Sequence, residues 1–178
     1  MKRFLTAVTA IFLTITGVNA MHMEDVIYLD LKDGRVVIEL LPEIAPNHVA
    51  RVKELTRQGF YDGVKFHRVI EGFMAQTGCP HGTGTGGSGQ HLDAEFNDTP
   101  HVRGIVSMAR AADINSADSQ FFIVFADANF LDGQYTAFGH VVSGMEFVDM
   151  IKMGDPNNNG AVGNPDTIIR MQVAADAN

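Results

Sequence analysis

The apolar residues of this chain come in short, β-rich runs separated by turn residues, and no strand–helix–strand unit recurs along it. Parallel strands need a crossover of about a dozen residues or more between them, so the strands are expected to pair antiparallel through local turns. Val26-Ile27-Tyr28-Leu29-Asp30-Leu31 and residues 35–40 flank Lys32-Asp33-Gly34. Asp-Gly tolerates the positive φ of a tight primed turn, which predicts a hairpin. Val49, Val52 and Leu55 recur at helical spacing from Asn47 until Gly59 and predict a first helix. Met145, Val148 and Ile151 predict a second over residues 145–153, ended by Gly154. Further strands are expected at residues 104–109, 120–125, 137–142 and 167–173. The inventory is that of a mainly β protein, read here as a closed eight-stranded antiparallel β-barrel capped by two α-helices.

The most informative stretch is Phe66-His67-Arg68-Val69-Ile70-Glu71-Gly72-Phe73-Met74-Ala75-Gln76. It reads as two short strands meeting at Glu71-Gly72. Apolar residues at 66, 69 and 70 leave neither face of the first strand cleanly polar, so both faces should meet other groups. Gly72 allows a bend or bulge that presents Phe73, Met74 and Gln76 beside Arg68. One cation in an apolar patch points to a largely apolar ligand carrying a single acceptor. On the pattern alone, a plain hairpin with Arg68 in a structural ion pair is the favoured reading.

Those eleven residues closely resemble the signature of cyclophilins, the peptidyl-prolyl cis-trans isomerases. Gly82 to Gly87 is similar to the family's glycine-rich loop, Gly104-Ile105-Val106-Ser107-Met108-Ala109 to its substrate-rim strand, and Ser119-Gln120-Phe121-Phe122-Ile123 to its pocket strand. The likeness runs from about Val26 to the C-terminus. It implies an eight-stranded barrel with a helix at each end and an activity on X-Pro peptide bonds that assists folding. By the same resemblance Arg68 is the catalytic residue. Phe73, Met74, Phe122 and Leu131 wall a proline pocket, with Tyr135 beside it and Phe130 at its rim, while Gln76, Ala109, Arg110 and Gln120 border the peptide backbone. Phe130 stands where the best-known eukaryotic members commonly carry tryptophan, and Tyr135 where they carry histidine. Both resemble bacterial members, and they imply weak cyclosporin binding. A non-catalytic proline-peptide binder using the same pocket is the alternative; a barrel with a hollow interior for a small apolar ligand is a second.

Lys2 and Arg3, the apolar run from Phe4 to Val18 and Val18-Asn19-Ala20 together read as a signal peptide cleaved after Ala20. One domain, residues 21–178, is then expected in the periplasm, or in the cytoplasm if translation starts at Met21 or Met23. The leader holds two of the 13 basic residues and none of the 21 acidic ones, leaving a mature formal charge of about −10. Nucleic-acid binding requires clustered Lys and Arg and is not expected; neither is a membrane partner for the mature form, which is read as a monomer. Cys79 is a lone cysteine and reads as a free thiol in a loop.

Gly82 to Gly89 contains G-x-G-x-x-G twice, but no helical period follows and no Lys follows a glycine as a phosphate loop requires. The expectation is an irregular loop lying along an extended peptide, with no cofactor. The seven histidines show no metal-ligand spacing. Asp155, Asn157, Asn159, Gly160 and Asp166 fit positions 1, 3, 5, 6 and 12 of a calcium loop. Asp166 is shorter than the usual bidentate Glu and a strand follows, so a polar turn after the second helix is expected and no metal site.

Overall fold

A computed structural model of the chain describes residues 22–177, so the signal peptide expected at residues 1–20 lies outside the described residues. Strands β1 (Val26–Leu31) and β2 (Gly34–Leu40) form the first hairpin, paired from Val26↔Glu39 to Leu31↔Gly34. Its turn is not the primed one expected, because neither Lys32 nor Asp33 has a positive φ. Gly34 answers a different need. A Cβ there would stand 2.5 Å from the Phe147 ring, and its absence lets helix α2 (Met145–Asp149) lie against β2. Helix α1 (Pro46–Arg57) starts at a proline whose missing N–H is no loss in the first turn. The Asn47 and His48 N–H groups donate to Glu95 at 3.1 and 3.0 Å, so a distant loop supplies the capping carboxylate.

The remaining strands are β3 (Arg68–Ile70), β4 (Met74–Thr77), β5 (Ile105–Met108), β6 (Phe121–Val124), β7 (Ala137–Ser143) and β8 (Arg170–Val173). All eight pair antiparallel in the order β3-β4-β6-β5-β7-β2-β1-β8, curled into a half-barrel with the two helices. The closed ladder expected is not formed, since β3 and β8 do not pair. The segments ahead of them meet instead: Phe66 N–H donates to the Asp166 carbonyl at 2.9 Å, Gly63 to Ile168 at 2.8 Å and Ile168 to Val64 at 2.9 Å. With Lys65 opposite Thr167, pairing continued toward β3 would run into Pro165, which has no N–H to give, and Arg68 bridges Ala161 instead. Helix α2 is also shorter than expected. Beyond it the Lys152 N–H donates to Asp166 at 2.8 Å, which turns the chain out of helical register.

Strand β6 is buried on both faces, and its alternation divides two clusters. Phe121 and Ile123 join the large interior cluster with Val52, Phe66 and Phe138. Phe122 and Val124 join a smaller one with Met74, Ile105 and Leu131. The interior is filled: Tyr61, Phe66, Phe121 and Phe138 are fully buried, and the Phe121 ring meets Tyr61 and Phe138 edge-on at 5.5 and 6.2 Å. A hollow ligand-carrying barrel is thereby excluded. Among the described residues no helix is long and apolar enough to cross a membrane.

The segment after α2 docks on the outer edge of β3. Gly154 N–H donates to the Val69 carbonyl at 3.0 Å, Val69 N–H to Gly160 at 2.8 Å and Val162 N–H to His67 at 3.1 Å. This fit requires Gly154, where a Cβ would overlap the Gly160 carbonyl oxygen. Gly154→Ala is therefore expected to destabilise the fold by about 1–3 kcal/mol through overpacking against backbone. A drop in the urea midpoint with unchanged m-value is the expected result; an unshifted midpoint would show that the docking is not tight.

Candidate active site

Register brings the site together. Arg68 on β3 lies opposite Gln76 on β4, Gln76 opposite Phe122 on β6, and Phe122 opposite Ser107 on β5. These four form one row across four strands on the face away from the interior. One step along, Ile70, Met74 and Val124 form the next row. The period of two that sends Val69, Ala75 and Ile123 into the large cluster thus leaves a cation, an amide and an aromatic ring side by side on the other face.

Arg68 is held by oxygens that carry no formal charge. Its Nη1 donates to Gln76 Oε1 at 3.2 Å, its Nε to the Asn159 carbonyl at 3.1 Å and its Nη2 to Asn159 Oδ1 at 3.0 Å. Among the described residues no carboxylate forms the structural ion pair that the sequence allows. Burial pulls the guanidinium below its ordinary pKa, with Tyr135 opposing. Gln76 Nε2 in turn donates to Gln120 Oε1 at 3.0 Å, and Gln120 Nε2 to the Gly84 and Gly86 carbonyls at 2.9 and 2.8 Å. A continuous amide chain therefore runs from the arginine to the glycine-rich loop.

Beside it opens a cleft of about 390 Å³ lined by Arg68, Phe73, Met74, Gln76, Ala109, Arg110, Phe122, Phe130, Leu131, Gln134 and Tyr135. Every residue expected at the site lies in it except Gln120, which lines an adjoining cleft of about 430 Å³ along the glycine-rich loop. Phe122, Met74 and Leu131 are buried and form the floor, whereas Phe130 is 66% exposed and stands over Phe73 with ring centroids 5.3 Å apart. The Tyr135 ring meets Phe122 edge-on at 5.9 Å, and the Arg110 guanidinium stacks 4.7 Å above Tyr135.

Several contributors escape a reading of the sequence alone. Gln134 lines the cleft, and its carbonyl accepts from Arg110. Asn159, one of the calcium-loop candidates, clamps the arginine. The other candidates diverge: Asp155 accepts from Asn157 N–H at 2.8 Å, and Asp166 accepts from Lys32 Nζ at 2.9 Å and from Lys152 N–H. Among the described residues no group of three His, Cys, Asp or Glu side chains converges for a metal. Cys79 is a free thiol, and it is buried at the head of the glycine-rich loop. Burial raises its pKa, but N–H groups of Gly86, Thr83, Gly84 and His81 outweigh that and bring it to about 7.

Behind the floor lies His101. Its Nδ1 is 2.9 Å from Asp132 Oδ1 and its Nε2 3.0 Å from Ser107 Oγ, while its ring stacks on Phe122 at 6.3 Å. Serine, histidine and aspartate at these distances have the spacing of a nucleophilic triad, but Ser107 and His101 are fully buried, out of substrate's reach. The group serves another purpose. His101 N–H donates to Asp132 and its carbonyl accepts from Ala128, so one residue secures both ends of the turn that carries Phe130 and Leu131. Those bonds hold the Asp132 carboxyl below its ordinary pKa.

Residues 26–173 match the family model for cyclophilin type peptidyl-prolyl cis-trans isomerases. The chain belongs to the cyclophilin family. A probable peptidyl-prolyl cis-trans isomerase of Brucella suis is 51% identical to this cyclophilin over 187 residues, covering 97% of the chain and 95% of the relative. Peptidyl-prolyl cis-trans isomerase B of Bacillus subtilis is 48% identical over 131 residues, covering 72% and 91%. Solved cyclophilin structures agree: one from Hirschia baltica has a TM-score of 0.79 at 28% identity, covering 89% of this chain and 77% of that one. Another, from Cryptosporidium parvum in the presence of the dipeptide Ala-Pro, has 0.75 at 28%, covering 83% and 98%. This cyclophilin is a peptidyl-prolyl cis-trans isomerase.

His101 touches no substrate in this geometry, so its replacement should act through pocket shape. For His101→Ala, KM for an X-Pro peptide is expected to rise about three- to thirtyfold with kcat nearly retained, as for an interaction felt equally in ground and transition states. A fall in kcat at constant KM would assign His101 a direct part in turnover.

Proposed function

We propose that Arg68 drives isomerisation by stabilising the twisted prolyl amide. Amide rotation faces a barrier of about 18–20 kcal/mol because resonance stiffens the C–N bond. At the upper figure the uncatalysed rate is on the order of 0.01 per second, and a typical turnover of about 10 to 1,000 per second requires removing about 4 to 7 kcal/mol. No nucleophile is required. When the amide twists, the nitrogen lone pair leaves the carbonyl and accepts a hydrogen bond that the planar ground state cannot. A charge-assisted bond contributes about 1.5–3 kcal/mol, more where water is excluded. The observation that carries this reading is the bonding of Arg68 to Gln76 and Asn159. Each terminal nitrogen gives one N–H to the protein and keeps one free.

In this reading the substrate proline sits on Phe73, Met74, Phe122 and Leu131 with Tyr135 alongside and Phe130 outermost. Gln76, Ala109, Arg110 and Gln120 meet the peptide backbone. The substrates are X-Pro segments of unfolded or loop regions in client proteins, in line with the Ala-Pro present with the Cryptosporidium structure. Further parts of the same proposal are a barrel whose last seam is the meeting of residues 63–66 with 166–168, a monomeric mature domain of residues 21–178, no nucleic-acid or membrane partner, and weak cyclosporin binding at a rim bearing phenylalanine. A non-catalytic binder would aim the same free donors at a peptide carbonyl and would hold an X-Pro peptide without accelerating its isomerisation.

Arg68→Ala is expected to lose about 10- to 1,000-fold in kcat/KM, mostly in kcat, because the ground state feels the guanidinium less. Arg68→Lys should be intermediate, since an ammonium lacks the fixed fork that satisfies Gln76 and Asn159 together. Exchange NMR at saturating peptide separates interconversion on the enzyme from affinity. A folded Arg68→Ala protein with undiminished on-enzyme interconversion would refute the mechanism.

The leader supports periplasmic placement. Cell fractionation is expected to find the protein in the periplasm with Met21 at its N-terminus; cytoplasmic protein starting at Met21 or Met23, unaffected by a block in secretion, would overturn that placement.

A further inference from the structure

Most arginines of the described residues are neutralised: Arg35 by Asp30, Arg51 by Glu54, Arg57 by Glu24 and Asp176, and Arg103 by Asp149. Among the described residues Arg68 and Arg110 have no carboxylate within 4.0 Å, and both line the same cleft; Arg170, also without one among them, lies apart on β8. Arg110 is nonetheless fixed. Its Nε and Nη2 donate to the Gln134 carbonyl at 3.1 and 3.0 Å, its Nη1 to Ala111 at 2.9 Å, and its plane lies over Tyr135. Carbonyls and a π face hold the guanidinium in place without cancelling its charge.

Arg110 stands where three clefts meet: the proline cleft, the one along the glycine-rich loop, and a third of about 480 Å³ toward Thr83 and Asn158. Neither the first nor the third is lined by an acidic residue. The second has Asp118 alone, and its carboxylate accepts from the Ser88 and Gly89 N–H groups. An extended peptide advances about 3.3 Å per residue, so with proline in the first cleft a neighbouring side chain passes over the Arg110 ridge. Taking the cleft as the X-Pro site, we propose that this ridge selects substrates with an acidic residue adjacent to the proline. The acidic remainder of the molecule does not oppose this at physiological salt, where charges more than about 8 Å away are screened.

The test uses peptides identical except for Glu, Gln or Lys, placed either just before or just after the proline. Chemical-shift titration gives Kd, and exchange NMR gives turnover. At about 0.15 M salt, where the acidic remainder is screened, the Glu peptide is expected to bind and turn over about three- to tenfold better than Gln at one of the two positions, with Lys worse than Gln. In about 1 M salt, where the screening length is about 3 Å, the ratio should fall toward one. Arg110→Gln should abolish the preference and Arg110→Glu should invert it. Were Arg110→Gln to unfold, the salt series on the unaltered protein decides alone. Equal Kd for Glu, Gln and Lys at both positions would overturn the proposal. The Kd order reads the charge preference independently of turnover, so an ordered series of Kd values without isomerisation would leave this inference standing and remove the isomerase reading instead.

Discussion

A charge can sit in an apolar patch only if its donors are satisfied, and it can serve a substrate only if they are not all consumed. Arg68 meets both conditions through amide oxygens. A carboxylate partner would have tied the guanidinium into a closed pair and lowered its value to an incoming ligand. Gln76 and Asn159 fix its plane while leaving its charge and two N–H groups available. Much of the nearby architecture follows from that demand. Gln76 must be oriented, which Gln120 does, and Gln120 is oriented by two carbonyls of a loop that needs glycine at several close approaches. Asn159 must reach β3 from far along the chain, which the docking of Gly154 and Gly160 on Val69 accomplishes.

The second organising constraint is the period of the strand. Because alternate side chains face opposite ways, β4 and β6 give half their residues to the interior and half to the site. Site and core are thus built from the same strands but from different residues. The aromatic interior around Phe121 sets the position of the backbone, and that backbone carries Phe122 and, across the ladder, Gln76 and Arg68. Changes at the rim, such as phenylalanine at 130 or tyrosine at 135, leave the interior untouched.

Local features are legible in the sequence, and distant ones are not. The hairpin from Phe66 to Gln76 can be read because its partners lie within a few residues and its apolar pattern has no simpler arrangement. The same holds for β5, β6 and β7, whose runs are short and bounded by turn residues. Apolar spacing overextends helix α2 because Met150 and Ile151 continue the helical pattern, while the contact that turns the chain, Lys152 with Asp166, is set by tertiary structure. Gly34 looks like a turn residue although its reason is the Phe147 ring, more than a hundred residues on. Asn159 and His101 carry no local mark of their roles. One looks like a calcium ligand and the other like any scattered histidine, until register and docking place them beside Arg68 and Phe122.

The His101 group shows why spacing alone cannot assign chemistry. Three residues at triad distances would act as a nucleophile in an open pocket. Here the serine faces the underside of Phe122 and the aspartate caps a turn, so the same hydrogen bonds fix the floor of an apolar pocket. A reaction that breaks no bond needs no nucleophile, but it does need a rigid surface against which the proline ring can be held while the preceding carbonyl swings. His101 and Ser107 are buried behind that floor and bonded to each other, with His101 also bonded to the part-exposed Asp132, so neither buried group moves without leaving a desolvated donor or acceptor unpaired. The polar group under the pocket and the cation beside it thus have separate places in the fold, the first backing the Phe122 ring and the second held by amide oxygens with two N–H groups free.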